Sequence, residues 1–273
     1  MTIKLIATDI DDTLLNSDRQ LTAHTIDVLK RASAQGIKVV LCTGRPVQAV
    51  QPLLDQLGLS GPDEYAITFN GAVTVSLAGE QFSNFDLGRS DFAALDQFAK
   101  AHQLTYNLRD ARGAVITPDD NISFYAVRQA YDSQVGITRL TPAQVPADFR
   151  YVKGMLTAPK AVLDAIEPSA RAAFGDAYYV VRSTPFFLEV MNPKANKGSG
   201  LAALAKRLGL AVAEVMACGD EANDLPMLKW AGCAIGMANG IDAVKQAATH
   251  VTRDNDHDGV AAAVEKYALE ARS

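Results

Sequence analysis

The chain has 273 residues, 48% of them hydrophobic and 21% charged, enough for one large core or two smaller ones. Its formal net charge of −5 leaves no basic footprint for nucleic acid, and no apolar run approaches the roughly 20 residues of a membrane span. The opening MTIKLIATD lacks the segments of a signal peptide, and the odd set Cys42, Cys218 and Cys233 lies in or beside apolar runs; a cytoplasmic chain with reduced thiols is expected.

IKLIATDI (3–10) reads as a buried strand, and it ends among three carboxylates, Asp9, Asp11 and Asp12. Residues 22–35 read as a helix with Ile26, Leu29 and Ala32 on one side and Gly36 as its stop. IKVVLC (37–42) is a second strand, VQAVQPLLDQL a helix closed by Gly58, and YAITF (65–69) a third strand. The middle reads differently. Residues 84–191 carry strand candidates in close pairs, LTYNL with AVITP and YYVVRS with FFLEVM, which favours antiparallel pairing. Helices are expected near 90–102, 121–134 and 159–173. The alternating pattern then resumes: Leu201, Leu204, Ala205 and Leu208 repeat at helical spacing before Gly209, and EVMAC (214–218) is a strand. A helix near 222–231, the strand CAIGM (233–237), a helix near 240–247, HVT (250–252) and a last helix from Gly259 follow.

Strand–helix alternation at both ends of a chain implies a parallel sheet with helices on both faces. The predicted fold class is therefore α/β: a Rossmann-like core from residues 1–83 and 192–273, with an α+β domain inserted at 84–191. Linkers are expected near Asn84–Gly88 and Asn192–Asn196.

In such sheets ligands bind at the carboxyl ends of the strands, and here four strand ends carry polar chemistry: TDIDDT, LCTGRP, TFNGA and MACGDEAND. Buried acids are costly unless they are paired or bound to metal. Asp9, Asp11, Asp220 and Asp224 around a divalent cation, with Lys197 of NKGSG adding a fixed charge, would resolve that cost. Hard oxygen ligands suit Mg²⁺ better than zinc. A carboxylate can attack phosphorus as a nucleophile. Thr43 and the backbone N–H groups around Gly44 and Asn70–Gly71 can donate to the phosphoryl oxygens, and Asp11 can protonate a leaving oxygen.

DIDDT, TGR, the lysine of NKGSG and GDEAND resemble, in order and spacing, the four motifs of haloacid dehalogenase-like phosphatases. The insertion after the second motif, with NGA after the third strand, looks like the Cof-type sugar phosphatase branch with a C2B-type α/β cap. The resemblance implies that Asp9 is the nucleophile and Asp11 the general acid/base. Thr43 and Lys197 would hold the phosphoryl group. Asp9, the backbone carbonyl of Asp11 and Asp220 would bind Mg²⁺, with Asn223 and Asp224 nearby. The function it implies is hydrolysis of small phosphorylated metabolites, sugar phosphates above all. The charge and hydropathy above predict no nucleic-acid or membrane partner, and a monomer or weak homodimer is expected. A sugar phosphomutase and a non-catalytic sugar-phosphate binder stay open as alternatives.

Several residues carry rival readings. Arg45 can contact phosphate or simply face solvent, and Asn70–Gly71 can touch phosphate or form a hairpin turn. Lys194 competes with Lys197. In the insertion Glu189 and Arg182 are candidate substrate contacts, whereas the aromatics Phe124, Tyr125, Tyr178, Tyr179, Phe186 and Phe187 read mainly as core. DNDHDGVAAAVE (254–265) fits a calcium-loop pattern but lacks a lead-in helix and a partner loop, so a polar turn is expected there.

Overall fold

The computed structural model describes residues 2–133 and 135–270. The chain opens with β1 (Leu5–Thr8), α1 (Ala23–Ala34), β2 (Lys38–Cys42), α2 (Val47–Leu57), β3 (Tyr65–Thr68), β4 (Val73–Ser76) and β5 (Gln81–Asn84). Then come α3 (Arg89–Ala101), β6 (Thr105–Arg109), β7 (Val115–Thr117), α4 (Phe124–Asp132), β8 (Ile137–Arg139), β9 (Lys153–Thr157), α5 (Lys160–Phe174), β10 (Tyr179–Thr184) and β11 (Phe187–Met191). The last part holds α6 (Lys197–Arg207), β12 (Val215–Gly219), α7 (Leu225–Trp230), β13 (Cys233–Gly236), α8 (Asp242–Ala247), β14 (His250–Val251) and α9 (Gly259–Val264). Two compact units result. One comprises the described residues of Met1–Arg45, Val50–Ser83 and Asn196–Ser273; the other comprises those of Pro46–Ala49 and Asn84–Ala195.

The first unit is built on an eight-stranded sheet of order β14-β13-β12-β1-β2-β3-β4-β5. Pairing is parallel from β14 to β3, and β4 runs antiparallel to β3. Successive strand residues point to opposite faces. Leu5, Ala7, Val40, Cys42, Ile67, Val215 and Ala217 therefore share one face, packed on Leu201, Leu204, Met227, Leu228 and Val244 of α6, α7 and α8. Ile6, Val39, Leu41 and Met216 point the other way, and α1, which packs on α9, lies against β2 there. Chain order reverses at β1: β2 follows on one side, while β12 lies on the other. That reversal opens a crevice at the carboxyl ends of β1 and β12.

Helix α1 begins where Thr22 accepts a hydrogen bond from the Thr25 amide, so the predicted start is the N-cap. The expected helix near 222–231 opens instead as a 3₁₀ turn, Ala222–Asp224, because the Asp224 side chain reaches back to two preceding amides before α7 begins.

The second unit has a six-stranded sheet of order β10-β11-β9-β6-β7-β8. The expected pairs β6/β7 and β10/β11 are antiparallel neighbours, but β9, unpredicted, lies at the centre between β6 and β11. Lys153 and Gly154 disguise it, since neither favours a buried strand. Gly154 is required by close packing: a Cβ there would come within 2.4 Å of Leu95 Cδ2 on α3. One face of the sheet, with Tyr106, Leu108, Leu156, Leu188 and Val190, packs on Phe92 and Leu95 of α3 and Leu163 and Phe174 of α5. The helix expected over 121–134 spans Phe124–Asp132 after the Ser123 N-cap, and position 134 lies outside the described residues. Phe124, expected in the core, is 70% exposed.

Candidate active site

β1 is buried along its whole length, and the chain leaves it at Asp9, whose amide donates to the Cys218 carbonyl at 3.0 Å. That bond extends the β1–β12 ladder by one residue and fixes Asp9 beside the end of β12, where Asp220 follows. α6 supplies the cation. Asn196 caps it by accepting from the Ser199 amide at 2.9 Å, and Lys197 is its first residue.

The Lys197 ammonium is fully buried, 2.6 Å from Asp9 Oδ1 and 2.6 Å from Asp224 Oδ1. Asp224 is committed on its other side too, where Oδ2 accepts from the amides of Asp220 at 2.9 Å and Glu221 at 3.1 Å. Gly219 makes this possible, because a Cβ there would lie 2.5 Å from the Asp224 side chain. Asp220 Oδ1 accepts from Thr13 Oγ1 at 2.6 Å.

The electrostatics follow from burial. Desolvation, helped by the Asp224 charge and opposed by Lys197, pushes the Asp9 carboxyl up to about 8. Burial likewise raises Asp220 to about 7, with the Thr13 hydrogen bond opposing and Asp224 adding to the rise. Burial works against the Lys197 charge, but Asp224 and Asp9 outweigh it and hold the ammonium above its ordinary value. Of the three buried acids, Asp9 and Asp224 pair with the Lys197 ammonium and Asp220 is held by Thr13.

Asp9, Asp220 and Asp224 present carboxylate oxygens that all lie within 4.8 Å of one another. These are hard oxygen donors in negative excess, a set that fits a small divalent cation such as Mg²⁺. Since both oxygens of Asp224 are taken by Lys197 and backbone amides, Asp9 and Asp220 are the side chains suited to bind it.

Among the other predicted residues, Thr43 is buried just past β2, and its hydroxyl accepts from the Arg45 amide at 3.1 Å. Asn70 is buried, with its amide on the Thr43 carbonyl at 2.9 Å and its Oδ1 accepting from Asn223 Nδ2 at 3.2 Å. A Cβ on Gly44 would meet the Asn70 side chain at 3.3 Å, so TGR, NGA and GDEAND converge. Asn70–Gly71 belongs to the connection between the antiparallel strands β3 and β4, as its turn reading expected. Phe69, Asn70 and Gly71 all have positive φ, a strained path for the first two.

Asp11 does not join the buried acids through its side chain. It faces outward and is held bidentately by Arg45, with Arg45 Nε 3.0 Å from Oδ2 and Nη2 closer still on Oδ1. Arg45 therefore neither faces only solvent nor stands free for phosphate; it grips Asp11. Lys194 is exposed, which leaves Lys197 as the lysine of the cluster.

Sequence reasoning missed Thr13, although it is the threonine of DIDDT. It also missed the braces of the loop after β1: Asn239 Nδ2 donates to the Asp12 carbonyl at 2.7 Å, and Asn255 Nδ2 to the Leu15 carbonyl at 3.1 Å. The acids of 254–265 disperse. Asp256 accepts from Ser17, Asp258 from Thr22 and Thr25, Asp254 pairs with His257, and Glu265 faces Arg31 and His24. The short strand β14, with no helix, leads in.

A family model described as haloacid dehalogenase-like hydrolase matches residues 6–264. YxeH of Bacillus subtilis is 38% identical over 267 residues, covering 97% of this chain and 98% of that protein. The 5-amino-6-(5-phospho-D-ribitylamino)uracil phosphatase YitU of the same organism is 29% identical, with 96% and 97% covered. Among solved structures, a haloacid dehalogenase-like hydrolase from Bacteroides thetaiotaomicron superposes with a TM-score of 0.84 at 28% identity, covering 97% and 99%. The subclass IIB sugar phosphatase BT4131 shares the fold at a TM-score of 0.77 and 23% identity, covering 97% and 98%.

Proposed function

The chain belongs to the haloacid dehalogenase-like hydrolase family, and on that premise we propose that it is a Mg²⁺-dependent phosphatase that cleaves small phosphomonoesters through an aspartyl-phosphate on Asp9. One observation carries the reading: a fully buried lysine placed 2.6 Å from the first carboxylate of DIDDT, at the crevice where β1 and β12 end.

Asp9 Oδ attacks phosphorus, forming an O–P bond as the bond to the ester oxygen breaks. Asp11 gives its proton to that leaving oxygen. Asp11 then takes a proton from water, which attacks the same phosphorus and returns Asp9 as a carboxylate. Lys197 and Thr43 hold phosphoryl oxygens, with Gly44 and the Asn70–Gly71 turn lining the same position. Asp9, Asp220 and the backbone carbonyl of Asp11 would hold Mg²⁺. When bound, the ion neutralises charge on nucleophile and phosphoryl group alike. Asp224 acts on Lys197 and on the backbone of Asp220, and so positions both. Asp11 has to leave Arg45 to reach a leaving oxygen, which assigns Arg45 the role of holding Asp11 between turnovers.

Substrates are small phosphorylated metabolites, with sugar phosphates favoured; the phosphatase names of YitU and BT4131 support that class. The test is phosphate release from a panel of phosphosugars, phosphorylated cofactors and nucleotides, in Mg²⁺ and in EDTA. Metal-dependent release that Asp9→Asn removes is expected. Release that persists in Asp9→Asn would overturn the mechanism, and conversion of positional isomers without free phosphate would mark a mutase.

A further inference from the structure

Two loops carry the ligands assigned to Mg²⁺, one after β1 and one after β12, and a third segment touches both. It is the turn at 237–241, which joins β13 to α8. Its hold on the end of β12 is made by backbone. The Met237 amide donates to the Gly219 carbonyl at 3.1 Å, and the Ile241 amide to the Asp220 carbonyl at 3.0 Å. Between them Gly240 lies flush on Asp220, where a Cβ would come within 2.9 Å of the Asp220 carbonyl oxygen.

The hold on the first loop is made by one side chain. Asn239 Nδ2 donates to the Asp12 carbonyl at 2.7 Å, and Asn239 Oδ1 accepts from the Asn255 amide at 3.1 Å. With a donor and an acceptor both engaged, the Asn239 amide group has one orientation. Its grip falls on a costly piece of backbone. Asp12 has a φ of 56°, in the left-handed region that residues other than glycine seldom adopt. Such a conformation persists only where its surroundings hold it.

The rest of the loop is tied down independently. The amides of Leu14 and Leu15 both return to the Ile10 carbonyl, at 3.1 and 2.9 Å, and Thr13 is fixed on Asp220. That leaves the peptide between Asp11 and Asp12. A peptide is planar, so the direction of the Asp11 carbonyl is set by the ψ of Asp11 and the φ of Asp12. Holding Asp12 in its left-handed turn therefore aims the Asp11 carbonyl.

Resting on the Mg²⁺-dependent phosphatase reading above, we propose that Asn239 is a positioning residue of the cation site. It sets the Asp11 carbonyl against the carboxylates of Asp9 and Asp220. The turn that carries it is fastened to Asp220 by its own backbone, so one short segment fixes the spacing of the two loops. Asn255 has a different role. It holds the Leu15 carbonyl with its side chain and reaches Asn239 only through its backbone amide, so Asn255→Ala leaves the grip on Asp12 in place.

The test compares Asn239→Ala with Asn255→Ala in the full chain, without substrate. Calorimetry at about pH 8, where fewer protons compete for the carboxylates, gives the affinity for Mg²⁺. Melting in EDTA gives the stability of each metal-free protein. Asn239 is exposed, so its truncation should leave the fold intact. The proposal expects Asn239→Ala to weaken Mg²⁺ binding about ten- to a hundredfold, the usual loss when a group that orients a metal ligand is removed. Asn255→Ala should instead lower the melting temperature and leave the Mg²⁺ affinity unchanged. Should the parent bind Mg²⁺ and release phosphate from no ester, while Asn239→Ala still weakens the ion, the phosphatase reading fails and the assignment of Asn239 stands. An Mg²⁺ affinity unchanged in Asn239→Ala, equal weakening in both variants, or a parent that binds no Mg²⁺ would overturn it.

Discussion

Lys197 is where the energetics of the catalytic unit concentrate. Its ammonium is the counter-charge for Asp9 and Asp224, both buried, so removing it leaves two carboxylates facing each other without compensation. Breaking a buried pair from one side costs about 3–5 kcal/mol. Lys197→Met is therefore expected to melt well below the parent in EDTA and to lose turnover. Asp9→Asn should lose turnover but melt at or above the parent in EDTA near pH 8, since an amide carries no charge to bury. A Lys197→Met protein as stable as the parent would contradict the pairing. The pH dependence has a definite sign. Asp9 at about 8 and Asp220 at about 7 titrate higher in the folded chain than in the unfolded one. Their stabilising contribution is thus complete below about pH 4 and is lost as pH rises through those two values. A divalent cation displaces the same protons. Mg²⁺ at a hundred times its Kd at about pH 8.5 should add about 2.7 kcal/mol, roughly 5–10 °C in Tm, and the same Mg²⁺ concentration should give a smaller shift at about pH 5.5, where protons compete for the carboxylates. A shift independent of pH would place the ion elsewhere.

At the scale of elements, the loop after β1 matters more than its length suggests, because it carries Asp11, Asp12 and Thr13. Two asparagines from distant segments, Asn239 and Asn255, hold its carbonyls. Asn255→Ala leaves the buried Leu15 carbonyl without that donor and should cost about 1–3 kcal/mol of stability, read by denaturant melts; no change would show the brace to be idle. Legibility was uneven at this scale. Helices with clean caps and stops were plain from sequence, as α1 shows between Thr22 and Gly36. The motif residues were plain as well, because carboxylates at the end of an apolar strand demand an explanation. β9 was not, because its lysine pairs with Glu189 and its glycine admits Leu95, and both facts exist only once the sheet has formed. The grip of Arg45 on Asp11 was equally invisible, being a contact between two strand ends. The calcium-like string shows the converse: a pattern legible in sequence whose acids turn to hydroxyls, a histidine and an arginine.

For the whole molecule, alternation of strand and helix conveyed the parallel sheet, and the switch in pattern near residue 84 conveyed a second kind of architecture. What no pattern conveyed was the strand order of the second sheet, since that depends on pairings between strands far apart in the chain. Core integrity has its own readout. Cys42 and Cys218 are buried in the sheet and Cys233 is half-buried, with burial raising all three thiols. A thiol reagent should therefore modify Cys233 alone, and slowly, in the native protein, and all three after unfolding. Rapid native reaction at Cys42 would mean that the sheet opens.

The measurement that bears most directly on the mechanism is an acid quench during turnover of a ³²P-labelled sugar phosphate in Mg²⁺, followed by peptide mapping. Label on the peptide bearing Asp9, transient in the parent and absent from Asp9→Asn, is the expected result. Full turnover with no protein-bound label, or label on another residue, would contradict Asp9 as the nucleophile.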